Sequence, residues 1–128
     1  MKNLIQAMRN AFMATSVPAG LTPQSRQTLD LLMEDFQIPA SWGMHALQQE
    51  GDSLSFEVNG FLFKGKVTIA SSGEGADATY DVSLTGEDGE RRAFAWIGSR
   101  ELVATIDSLV EKDALYEQRV SEAYGINA

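Results

Sequence analysis

Hydrophobic positions recur with a helical period over the first 36 residues and with an alternating one from Gly43 onward, so two helices are expected before a sheet. In residues 1 to 14, Leu4, Ile5, Met8, Ala11 and Phe12 share one helical face, which Gln6, Arg9 and Asn10 interrupt. A second helix is expected from Pro23 to about Phe36. Thr22 can accept a backbone N–H as its cap, Pro23 presets the first turn, and Leu29, Leu32, Met33 and Phe36 form a stripe at i, i+3, i+4 and i+7. Pro39 lacks an N–H and crowds the preceding turn, so it is expected to prevent continuation.

Turn chemistry then marks the strands. Met44 to Gln49 is a weakly alternating first strand ended by Glu50-Gly51-Asp52, and Ser53 to Val58 is a clearer second one, with Leu54, Phe56 and Val58 on one face. Asn59-Gly60 has the composition of a type I′ turn, which would set Val58 opposite Phe61 and Phe56 opposite Phe63. The third strand continues through Val67 and Ile69 to the loop Ser71-Ser72-Gly73-Glu74-Gly75. The last hairpin allows two registers. A two-residue Asp88-Gly89 turn would aim Phe94 and Trp96 away from the core, as an exposed patch fit for a partner. A Gly86-to-Gly89 turn with Gly89 left-handed would pair Gly86 with Glu90, Val82 with Phe94 and Tyr80 with Trp96, burying both aromatics. The second is preferred, because each buried aromatic contributes roughly 1.5–3 kcal/mol.

Ser99 is expected to cap a final helix reaching Tyr124, with Leu102, Val103, Ile106, Leu109, Val110, Tyr116, Val120 and Tyr124 as its apolar stripe and Gly125 as its stop. The fold class is therefore α+β. It is a two-layer sandwich of order α-α-β-β-β-β-β-α, an antiparallel meander of four or five strands with helices over one face. Glu57, Lys64, Lys66, Asp81 and Ser83 fall on the other, solvated face.

A chain of 128 residues suits one hydrophobic core, so residues 1–128 are read as a single domain. Acidic residues outnumber basic ones 18 to 10, and the net charge of −8 repels phosphate backbones and anionic membranes. Neither nucleic acid nor a membrane is an expected partner. No stretch approaches the roughly 18 apolar residues of a membrane span, and the broken first helix is unlike a secretory leader, so a cytoplasmic location is expected.

Composition also removes most catalytic chemistry. Cysteine is absent and His45 is the sole histidine, so no zinc site of the usual ligands can be assembled, and no metal or cofactor is expected. The acidic groups Glu50 and Asp52, Glu74 and Asp77, and Glu87, Asp88 and Glu90 sit beside glycines in turns and lack the alternating ligands of a calcium loop. The glycine-rich segments lack the Gly-Lys-Ser/Thr ending of a phosphate loop. Lys64, Lys66, Arg91 and Arg92 make the best basic patch, diluted by Glu57, Asp81 and Glu90.

What remains is a small acidic, non-catalytic binding or adaptor protein acting on a protein partner, with a homodimer as one form of that partner. Its candidate contacts are Leu4, Ile5, Met8, Phe12, Tyr116 and Tyr124, because the helices are more apolar than one small sheet needs. The alternative is a small-molecule-binding domain with a pocket between sheet and helices, lined by Trp42, His45, Phe63, Tyr80 and Trp96. An enzyme using His45 with a carboxylate in that same pocket ranks third.

Overall fold

The computed structural model describes residues 2–111. Its architecture is the expected α+β two-layer sandwich, with helices packed on a five-stranded antiparallel meander. Helices α1 (Lys2–Thr15), α2 (Pro23–Met33) and α3 (Gln37–Ser41) come first. Strands β1 (His45–Glu50), β2 (Ser53–Asn59), β3 (Lys64–Ser72), β4 (Thr79–Gly86) and β5 (Arg91–Gly98) follow in spatial order, and α4 (Leu102–Val110) returns to the sheet.

The Thr22 hydroxyl accepts the Ser25 N–H at 3.1 Å, as its capping role requires. Helix α2 ends at Met33 rather than near Phe36, and α3, which the periodicity did not reveal, begins after a turn. Pro39 sits inside the first turn of α3, where a missing N–H costs no intrahelical bond. The core lies between α2, α4 and the inner sheet face. Leu29 and Leu32 meet Leu54, Phe56, Val67 and Val82 there, all essentially inaccessible to solvent. Trp42, just after α3, is buried parallel to the Phe56 ring at 6.5 Å, and its indole N–H donates to Asp107 of α4 at 2.9 Å.

The first hairpin differs from expectation. Phe56 pairs with Val67 and Val58 with Gly65, so Asn59-Gly60 is no two-residue turn and neither residue is left-handed. Gly60 is there for closeness instead: a Cβ on it would lie 2.4 Å from Val110 Cγ1 and 2.5 Å from the Val110 carbonyl oxygen. The wider loop lets the Leu62 and Phe63 N–H groups donate to the Val110 carbonyl, at 2.7 and 3.3 Å, capping the end of α4. Phe61 is consequently exposed and Phe63 only half-buried.

In the last hairpin the preferred turn is present. Gly89 is left-handed at φ 87°, the Gly86 N–H donates to the Glu90 carbonyl at 2.8 Å, and Val82 pairs with Phe94. The register then slips by one residue, and Tyr80 meets Ile97 rather than Trp96. A bulge at Ala95 and Trp96 absorbs the extra residue, so Phe94 is partly buried against the core and Trp96 stands 80% exposed. Strand β1 also carries an irregularity, between His45 and Gln48, with Ala46 left-handed at φ 55°. That accounts for its weak alternation.

Helix α4 is shorter than the helix expected from Ser99 to Tyr124. Its N-cap is Glu101, without a side-chain bond, while the Ser99 hydroxyl donates to the Ala76 carbonyl at 3.4 Å. It closes at Val110, where the β2–β3 loop takes the carbonyl and Glu111 leaves helical geometry. Tyr116, Val120 and Tyr124 lie outside the described residues.

Candidate functional site

The side chains proposed to line a pocket are not brought together. Trp42 and Tyr80 are packed inside the core, Tyr80 receiving the Gln27 side-chain amide at 3.2 Å. His45 lies on the opposite sheet face, 3.9 Å from Glu57 with both side chains more than half exposed, and its Nδ1 is 2.7 Å from the Gly43 carbonyl oxygen. Phe63 belongs to the β2–β3 loop and Trp96 to the sheet edge. The inner face they were to share is filled by Trp42, Phe56 and Tyr80.

The helix residues behave differently. Phe12 packs on Phe36 with ring centroids 5.6 Å apart, and the Arg9 Nε donates to the Met33 carbonyl at 3.1 Å, so two contacts tie α1 to the end of α2 and the turn after it. Leu4 and Met8 remain 60% and 45% exposed, and Ile5 is half-buried. Beside them opens a groove of about 370 Å³, lined by Met8, Ala11, Phe12, Phe36, Pro39, Ala40, Gly43 and Met44. No lining residue is charged. Two methionines among them give the walls a shape that can adapt to an occupant. Glu34 and Asp35, in the turn just before Phe36, are exposed and form no ion pair among the described residues.

A second recess, of about 550 Å³, lies where α2 meets the β3–β4 connection and is lined by Arg26, Gln27, Asp30, Tyr80 and Ser99 among others. It is more polar, and its polar groups serve one another. Arg26 pairs with Asp30 at 3.6 Å, and the Gln27 side-chain carbonyl accepts the Gly75 N–H at 3.2 Å.

The outer sheet face is polar, as anticipated. Glu57 pairs with Lys66 in the β2–β3 ladder, and Lys66 reaches the Glu50 carboxylate. Asp81 turns to β5 instead and accepts the Trp96 N–H at 3.1 Å. That bond holds Trp96 at φ 62°, a left-handed backbone that costs a side-chain-bearing residue roughly 1–2 kcal/mol. Trp96→Gly is therefore expected to stabilise the fold by up to about 1 kcal/mol, whereas Trp96→Val destabilises it. Thermal unfolding of the two variants checks this, and a lower Tm for Trp96→Gly would mean that the indole contributes packing.

Register alone, unseen in periodicity, makes Trp96 the exposed tryptophan. The signal that could have found it is the odd spacing between Phe94 and Ile97, both of which face inward. Among the described residues no helix is long and apolar enough to cross a membrane, and no three His, Asp or Glu side chains stand together as metal ligands. No protein-family model matches this chain, and no curated protein or solved structure matches it.

Proposed function

We propose that this is a non-catalytic binding protein that seats the apolar side of an amphipathic helix from another protein in the groove between α1 and α3. The observation that carries this reading is the groove itself: uncharged, open, and continued along α1 by exposed Met8 and Leu4. A guest helix would insert side chains at i, i+3 and i+4, as helix-in-groove complexes do. Its solvent side would be basic, complementing the exposed Asp35 next to Phe36 and a host of net charge −8. Leu4, Ile5, Met8 and Phe12 are the contacts of this reading, with Phe36 and Met44 as the opposite wall.

Met8→Glu tests it. Position 8 is partly exposed, so the substitution is expected to leave folding stability within about 0.5 kcal/mol. Titration with a helical peptide bearing leucines at i, i+3, i+4 and i+7 and lysines elsewhere, followed by amide chemical shifts, is expected to perturb Ala11, Ala40 and Met44. Met8→Glu should weaken that binding at least tenfold, or about 1.4 kcal/mol. Unfolding of the variant, or unaltered peptide affinity, would refute the assignment.

A further inference from the structure

We infer that the outer edge of β5, unpaired among the described residues, is a second binding site, one that adds an acidic, extended segment of a partner protein as a sixth strand. Strand β5 is last in the sheet order, and no described strand pairs with its outer edge. Its ladder fixes which backbone groups are free. Hydrogen-bonded pairs recur every second residue from Gly86–Glu90 through Leu84–Arg92 to Val82–Phe94. The N–H and C=O groups of Arg91, Ala93 and Ala95 therefore point outward. The side chains of Ala93 and Ala95 are small, and β5 contains no proline, so the edge is open to backbone pairing.

Charge selects the occupant. Residues 91–100 hold three arginines and no acid within a chain of net charge −8. Arg91 and Arg92 are exposed and form no ion pair among the described residues; Arg92 stands over its neighbour Phe94, 5.3 Å from the ring centroid. They alternate across the strand, Arg91 toward the outer face and Arg92 toward the helix side, so carboxylates on both faces of an added strand would meet a guanidinium. At the other end of the segment, the bulge stops regular pairing and presents the exposed Trp96 indole, while Asp81 accepts the Trp96 backbone N–H from the adjacent strand. Arginine and tryptophan flanking a short free edge are the residue types that dominate interface energies. Together they suit a segment about five residues long, opposite Arg91 to Ala95.

The test is fluorescence anisotropy with a labelled peptide alternating glutamate and valine, against a lysine-valine peptide of equal length. The acidic peptide is expected to bind, more weakly in about 0.5 M salt, while shifting Trp96 emission to the blue. Ala93→Pro removes one outward N–H where proline is tolerated, and should lower affinity at least tenfold with an unchanged circular dichroism spectrum. Arg91→Glu with Arg92→Glu should do the same without touching the backbone. Met8→Glu, in the α1–α3 groove, should leave this binding intact, which separates the two sites. Equal binding of both peptides, no binding at about 1 mM, or binding indifferent to both β5 variants would overturn the inference. So would concentration-dependent self-association abolished by Ala93→Pro, because the occupant would then be a second copy of this chain.

Discussion

Trp42→Ala is expected to destabilise the domain by about 3–5 kcal/mol, a large part of the roughly 5–15 kcal/mol that holds a domain of this size together. The indole is fully buried, lies parallel to the Phe56 ring, and bonds Asp107 across the core. Deleting it leaves a cavity where α3, α4 and the sheet converge, and strands the Asp107 carboxylate. The hydrogen bond can be separated from the packing. Asp107→Leu, which leaves the buried indole N–H without an acceptor, should cost about 1–3 kcal/mol, and Asp107→Asn less. Urea unfolding followed by circular dichroism measures all three. A loss below about 1 kcal/mol for Trp42→Ala would contradict its place in the core.

Gly60→Ala is the second large effect. A methyl group there meets Val110 Cγ1 and the Val110 carbonyl oxygen well inside contact distance, and one of those is backbone. Either the β2–β3 loop or the end of α4 must move, and moving either endangers the Leu62 and Phe63 bonds to that carbonyl. The expected cost is about 2 kcal/mol, read as a fall in Tm of roughly 8 °C. Val110→Ala in the same chain should restore only part of it, because the side-chain clash disappears and the carbonyl clash remains. Full tolerance of Gly60→Ala would show that the loop and helix are not in contact.

Strands were legible wherever local chemistry punctuates them. The alternation of Leu54, Phe56 and Val58, and the Gly86-to-Gly89 turn with its left-handed glycine, both rest on neighbours in sequence, and both are present in the fold. The failures share another cause. Asn59-Gly60 resembles a tight turn, but Gly60 answers to Val110, fifty residues away. Ser99 looks like a helix cap, yet its hydroxyl bonds Ala76. Trp96 was expected opposite Tyr80, because alternation cannot register a one-residue bulge held by an aspartate on the adjacent strand. The pocket residues scattered for the same reason: aromatic character is visible in a sequence, whereas the face of the sheet it lands on depends on register. The groove beside α1 was half-legible, its α1 wall through the helical stripe, its other wall hidden because α3 was not foreseen.

The sheet order β1-β2-β3-β4-β5 repeats the order of the chain, so every strand pair forms by closing a short connection. Loop-closure entropy stays small at each step, and the meander can zip outward from any of its hairpins. The helices have no such shortcut. Trp42 and Asp107, which join them, are 65 residues apart and meet only on an assembled inner face. The two layers therefore differ in contact order: the strand pairs are local in sequence, whereas the bond between Trp42 and Asp107 closes a long loop and carries a larger entropy cost.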